Sequence, residues 1–320
     1  MSGPDAIVPE STPLASVVVP VFNEEDSVAS LFQRLGAVVS KIPQYRWELV
    51  LIDDGSSDKT VEVIQKNRSL FPGLVRLVQF SRNFGHQPAV LAGMEESTGE
   101  FIIVIDADLQ DPPELFSAFI EKYRQGFDVV YGIRTARHES WFKLLTAGIF
   151  YRFMDLMTDI RIPLDAGDFG LVSRRVAQFM IRHSDKDPYL RGLRSWAGYS
   201  QTGVEYDRPN RQAGETKYTF SKMLKLAGSG IFGYSSLPLR FSTLFGLFSV
   251  GMCILYAIYA LVGKFVYNAN QPGWTSLVLV ILFLGGVQLI SIGLLGEYIA
   301  CIYKQVQPRP HFIVKTSRTL

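Results

Sequence analysis

Residues 101–110 read FIIVIDADLQ, five apolar residues followed by two alternating carboxylates and an amide. A run this short and this rich in Ile and Val reads as a buried strand, covered on both faces, with Asp106 and Asp108 falling just past its end. Working back toward the N-terminus, similar runs alternate with amphipathic stretches: ASVVVPVF (15–22), SVASLFQRLGAVVSKI (27–42), WELVLIDDG (47–55), KTVEVIQKNRSLF (59–71), VRLVQFS (75–81) and AVLAGMEEST (89–98). That alternation predicts an α/β nucleotide-binding domain built on a mostly parallel sheet. Ligands of such sheets bind beyond the carboxyl ends of the strands. Those ends are acidic here: Asn23-Glu24-Glu25 after the first run, Asp53 to Asp58 after the second, and Asp106 to Gln110 after the fourth.

Taken singly, several of these residues also read as helix caps, Asn23 or Ser27 for one helix and Ser57 or Asp58 for the next. Asp106 and Asp108 differ, because uncompensated charge after a buried strand is costly unless it meets a cation. With Gln110 they offer the hard oxygens that Mg²⁺ or Mn²⁺ takes beside diphosphate oxygens.

Two further runs, 241–262 and 274–296, carry no charged residue, and Gln288 is the one strongly polar group in the second. At about 1.5 Å per residue each is long enough for a hydrocarbon core of roughly 30 Å, so both read as transmembrane helices. Lys222, Lys225 and Arg240 precede them, Lys304, Arg309, Lys315 and Arg318 follow, and only Lys264 lies in the connection, which predicts that both termini and the catalytic domain are cytoplasmic. The first residues, MSGPDAIVPESTP, have acidic groups and prolines where a secretion signal needs a basic start and an apolar stretch. Cys253 and Cys301 lie in or beside the apolar runs, too few for a disulfide framework. A formal net charge of +2 makes no case for nucleic acid, and no internal repeat is present.

The ordered set VVVPVFNEE, LIDDGSSDKT, FSRNFGHQPAVLAGME, VIDADLQDPPE and RQAGETKY resembles family 2 glycosyltransferases, in particular the polyprenyl-phosphate branch of dolichol-phosphate mannose synthases and bacterial bactoprenol glucosyltransferases. The resemblance covers about residues 14–220 and implies a GT-A fold and inverting transfer of a hexose from a nucleotide-diphospho-sugar, first UDP-glucose, to undecaprenyl phosphate. It places Pro20, Phe22, Glu24, Asp53 and Asp54 at the donor, and Asp106, Asp108 and Gln110 at the ribose and the metal diphosphate. Arg134 would sit near the diphosphate or acceptor phosphate, and Arg211 and Lys217 would be the basic residues of RQAGETKY, where Thr216 replaces the commoner Ser. Asp165 and Asp168 match acidic positions near sugar and acceptor; Asp168 is expected to orient substrate rather than act as a base. His86 reads as a structural loop histidine, since a metal role lacks a partner at suitable spacing.

The reaction chemistry fits this set. A lipid monophosphate has a second pKa near ~6, so at neutral pH it is already a nucleophile and needs no strong base. The site must instead hold two anions together, with a divalent cation on the leaving group and Arg or Lys on the incoming phosphate.

The expected layout is an N-terminal tail (1–13), the catalytic domain (14–220), a juxtamembrane amphipathic segment (221–240), two transmembrane helices (241–299) joined by a loop at 263–273, and a C-terminal tail (300–320). The stretches from Ser140 and from Tyr218 place bulky apolar residues at helical spacing beside basic ones, and are expected to lie as interfacial helices in the headgroup plane. The location would be the bacterial inner membrane. Gly246, Gly251, Gly285 and Gly286 allow close helix packing and a homo-oligomer, and a flippase with a second glycosyltransferase would act downstream. Three alternatives stay open: a GDP-mannose donor, a UDP-amino sugar donor, and a non-catalytic subunit that binds sugar nucleotide. A processive polysaccharide synthase would carry a Gln-x-x-Arg-Trp motif and more membrane helices, which the sequence lacks.

Overall fold

The computed structural model describes residues 12–134, 166–186, 188–207, 237–267 and 273–320. The apolar runs form strands where their alternation predicts: β1 (Leu14–Val21), β2 (Arg46–Asp53), β3 (Leu74–Phe80) and β4 (Phe101–Val104). Alternate residues of each face opposite sides. Val17, Val19, Leu49, Leu51, Phe101 and Ile103 join one buried cluster, and Val18, Val50, Ile52, Ile102 and Val104 join the other. Helix α1 (Val28–Val39) covers the first face with Leu31, Phe32 and Leu35, and α3 (His86–Glu96) covers the second with Val90, Leu91 and Met94. Two short helices, α2 (Thr60–Asn67) and α4 (Phe116–Arg124), complete the crossovers.

The four strands pair in parallel in the order β3-β2-β1-β4. β5 (Val129–Arg134), β6 (Ala166–Ser173) and β7 (Gln201–Tyr206) extend the sheet beyond β4, with β6 antiparallel to both β4 and β5. Helices α5 (Arg174–His183) and α6 (Leu190–Trp196) lie between β6 and β7 in the chain. Pro20 sits inside β1 without harm, because the β1–β4 ladder ends at Val18 opposite Val104 while the β1–β2 ladder runs on to Val21.

The C-terminal residues correct the expected tail. Val314–Thr319 form β8, which pairs antiparallel with β3 and closes that edge of an eight-stranded sheet. The signal was hidden because all six β8 residues are exposed, so the strand shows no hydrophobic alternation.

The second compact unit contains α7 (Leu237–Tyr267) and α8 (Trp274–Val306). Within them, Phe241–Tyr259 and Ser276–Val306 are long and apolar enough to cross a membrane, with mean hydropathy 1.9 and 2.6. The Ser242 hydroxyl donates to that of Ser291 at 2.8 Å. A Cβ at Gly246, Gly251, Gly285 or Gly286 would meet nothing within 4 Å, so the close approach expected at these glycines is not used between these two helices. Helix α7 runs on to Tyr267, several residues into the expected loop. The interfacial segments expected at 140–160 and 218–236, together with Asp165, Arg211, Thr216 and Lys217, lie outside the described residues.

Candidate active site

Parallel pairing brings the carboxyl ends of β1, β2 and β4 to one side of the sheet. The loops after β1 and β2 are stitched together there. Asn23, in a left-handed conformation (φ 54°), donates its amide to the Ser56 hydroxyl at 2.9 Å and accepts from the Ser57 amide at 2.8 Å. Asn23 therefore bridges two loops rather than capping α1, whose start has no side-chain cap. Asp58 does take the amide of Thr60, at the start of α2, and also that of Glu25. Glu24 donates its amide to Thr60 and accepts from the Ser27 hydroxyl at 2.6 Å.

Asp53 and Asp54 are both buried but differ in task. Asp53 accepts from the Ser56 amide at 2.9 Å and from Gln79 at 3.3 Å. Asp54, expected among the donor contacts, has both oxygens on the next loop: the amides of Phe84 and Gly85 donate to them at 2.6 and 2.9 Å. Burial, partly offset by those two bonds, raises its carboxyl above the ordinary range. It is a latch between loops. Phe22, by contrast, leaves 45 % of its surface exposed at the end of β1, an open aromatic face beside these loops.

The loop after β4 is held in an unusual shape. Leu109 has φ 53°, a conformation that costs a side chain of its size about 1 kcal/mol or more. Its carbonyl accepts from Arg34, whose guanidinium pairs with both oxygens of Glu114 at 2.9 and 2.8 Å, and Asp108 accepts the Gln110 amide at 3.1 Å.

Asp106 is the odd member. It accepts no hydrogen bond among the described residues, and the His86 imidazole lies 3.7 Å away. Burial, then the charges of Asp168, Asp111 and Asp108, raise its carboxyl above the ordinary range, with His86 and the charge of Arg191 pulling the other way. The set has an excess of hard negative oxygens and suits a divalent cation. Among the described residues no three His, Cys, Asp or Glu side chains are grouped to hold a metal by themselves. A cation held here would therefore also need substrate oxygens, the way Mg²⁺ usually binds.

Asp168, on β6, has its lone pairs occupied. Arg191 grips it through Nε at 2.8 Å and a terminal nitrogen at 3.0 Å, Gln87 donates at 3.0 Å, and His86 lies at 3.4 Å. Burial alone would raise this carboxyl, but His86 and Arg191 outweigh it and hold it well below the usual range. A carboxylate so tied is a poor proton acceptor. His86, set between Asp168 and Asp106, is raised above its ordinary pKa by those two carboxylates despite its burial. Arg134, at the end of β5, donates to the Tyr206 hydroxyl at 3.2 Å and meets buried Asp111 at 3.4 Å; burial and Asp111 push the Tyr206 phenol up to about 12.

Asp106, Asp108, Gln110, His86, Asp168 and Arg134 thus belong to one region, as do Phe22, Glu24 and Asp53 on the neighbouring loops. The sequence reading missed Arg191, Gln87, Asp111 and Tyr206. Asp111 stood inside the quoted VIDADLQDPPE, whereas nothing local marks Arg191, 23 residues beyond its partner.

A parallel β3-β2-β1-β4 core with an acidic loop after β4 defines a GT-A transferase fold. Residues 16–180 match the model described as glycosyl transferase family 2, and residues 237–302 match the GtrB C-terminal hairpin. The chain belongs to the family 2 glycosyltransferases and is a transferase enzyme. It is 45 % identical over 303 residues to the uncharacterized glycosyltransferase YkcC of Bacillus subtilis (strain 168), covering 94 % of this chain and 93 % of that one. It is 38 % identical over 304 residues to the bactoprenol glucosyl transferase of Shigella phage SfX, covering 95 % and 99 %. Among solved structures, glucosyl-3-phosphoglycerate synthase from Mycobacterium tuberculosis in complex with Mn²⁺, UDP and phosphoglyceric acid aligns with a TM-score of 0.49 and 16 % identity over 69 % of this chain and 76 % of that one, a distant likeness with no bearing on individual residues.

Proposed function

We propose that the chain transfers glucose from UDP-glucose to a polyprenyl phosphate, with inversion and with help from Mg²⁺ or Mn²⁺, at the cytoplasmic face of a membrane crossed by α7 and α8. The observation that carries this reading is the full-length likeness to a bactoprenol glucosyl transferase, hairpin included, in a chain that keeps its acidic strand-end cluster. In this reading Phe22, Glu24 and Asp53 border the nucleoside, with Pro20 shaping the strand beneath them. Asp106, Asp108 and Gln110 hold the cation, which would neutralise the leaving diphosphate. Arg134, Arg211 and Lys217 receive the acceptor phosphate. Asp168 orients and Asp54 latches; neither serves as a base, which fits an acceptor that is already anionic.

The test is transfer of labelled glucose from UDP-glucose into an organic-extractable lipid by purified protein with undecaprenyl phosphate and Mg²⁺. Label that disappears with chelator and in Asp108→Ala supports the reading. Label only with GDP-mannose or a UDP-amino sugar would replace the donor, and no label with any donor would remove the transfer itself.

A further inference from the structure

We propose that residues 309–320 form a strap that positions the active-site loop 81–85, with Phe312 as its key positioning residue; this rests on the reading of His86, Asp106 and Asp168 as one catalytic region. The strap contributes little burial along its length, since every β8 residue is exposed. Its grip lies in the backbone ladder to β3 and in its two ends. At one end the Leu320 amide donates to the Val75 carbonyl at 2.8 Å, and Leu320 packs on the first core cluster. At the other, the ladder shifts register beside Phe80 and passes onto the loop itself, where the Ser81 amide donates to the Ile313 carbonyl at 2.9 Å. Phe312 stacks on Phe80 with centroids 5.0 Å apart and planes 10° apart, and Phe80 meets Phe84 edge-on at 5.7 Å.

Phe84 is the residue whose amide Asp54 receives, Gly85 follows at φ 108°, and His86 comes next. The strap therefore reaches His86 through one stacked aromatic pair and one backbone bond. The loop is supported on its other side by Gly55, where a Cβ would lie 2.6 Å from the Arg82 carbonyl carbon, so it has little freedom to settle elsewhere.

The strap's own start is stiff. Helix α8 ends at Val306, and Gln307 turns extended (φ −69°, ψ 129°) as a residue before proline must. Pro308 and Pro310 then restrict the connection, and Lys186 and Ser184 hold it through the Arg309 carbonyl at 2.7 Å and the His311 imidazole at 3.1 Å. Within the first compact unit, residues 309–320 are thus held at their start as well as along β3 and at Leu320.

The test uses the full chain with Phe312→Ala and Phe312→Leu, reading hydrogen exchange at the Phe84 and Gly85 amides alongside steady-state transfer. Phe312→Ala is expected to speed exchange at those amides by about tenfold or more while Val17 to Val19 in β1 stay protected. It should lower kcat by about tenfold with the donor KM within about threefold, and Phe312→Leu should restore most of both, as expected when a positioned group drifts. Unchanged exchange at Phe84 and Gly85, an equal rise in β1, or a fall in kcat without faster exchange would each overturn the proposal. If Phe312→Ala does not accumulate folded, Phe312→Val is read for the same outcomes. The exchange measurement needs no substrate, so it stands apart from any failure of the proposed transfer reaction.

Discussion

Glu48 and Asp106 are carboxylates on the same sheet, at opposite ends of it, and they are treated in opposite ways. Glu48 is fully buried in β2 and receives the Ser16 hydroxyl at 2.6 Å, the Thr98 hydroxyl at 3.0 Å and the amides of Thr98 and Gly99. Asp106 receives no hydrogen bond among the described residues and faces three other carboxylates. A buried carboxylate with its lone pairs filled fastens the structure; one left among like charges stores repulsion that a cation relieves. The amino end of the sheet is built for stability and the carboxyl end for chemistry.

The contrast breaks first at the acidic loop. Asp108→Ala should reduce transfer by about a thousandfold, roughly 4 kcal/mol, while leaving the unfolding temperature within a few degrees of the parent. Glu48→Ala should do the reverse. Removing it strands the Ser16 and Thr98 hydroxyl protons and the Thr98 amide, while the Gly99 amide keeps its bond to the Ser16 hydroxyl at 2.8 Å, so unfolding in denaturant should show a loss of about 3 kcal/mol, with unchanged turnover per folded molecule. Equal losses of stability in the two variants would erase the distinction.

Arg191→Ala probes a residue between the two extremes. It leaves Asp168, whose side chain is only 12 % exposed, without its bidentate partner, so a fall in kcat of about 30-fold, near 2 kcal/mol, is expected, with Arg191→Lys recovering only part of it.

The smallest effect belongs to the strap. Burial, then the nearby charge of Lys186, lowers the pKa of His311, with Asp185 opposing. A histidine with a depressed folded pKa binds protons more readily when released. Its contribution is therefore complete above the unfolded value of about 6.5 and is lost as pH falls through the folded value. The protection factor of the Ser81 amide, corrected for the intrinsic pH dependence of exchange, should fall as pH drops below about 6.5, and His311→Gln should flatten that dependence.

How much the sequence revealed follows the same division. Strands β1 to β4 were legible because each is a short, mostly apolar run that contributes to both buried clusters, and the helices between them because they read as amphipathic stretches. The loops at their ends were legible as acidic, and Asp106, Asp108 and Asp168 were all singled out. Partner choice was not. Spacing cannot tell that Asp54 turns to the amides of Phe84 and Gly85 while Asp106, also just past a strand end, accepts no hydrogen bond among the described residues and has the His86 imidazole 3.7 Å away. Nor can it show that Arg191, Gln87 and His86 converge on Asp168, since each comes from a different turn of the chain. β8 was missed for a physical reason: an edge strand exposed on both faces, with Lys315 and Arg318 on it, carries the pattern of a tail.

The most direct measurement is the thermal unfolding of the parent and Asp106→Asn, in detergent, with and without Mg²⁺ and UDP. A carboxyl raised in the folded state costs stability at neutral pH, so without metal the Asn variant should melt above the parent. Mg²⁺ with UDP should then raise the parent by several degrees and leave the variant nearly unmoved. An Asn variant that melts below the parent without metal would show that Asp106 fastens the fold as Glu48 does, and the division between the two ends of the sheet would be wrong.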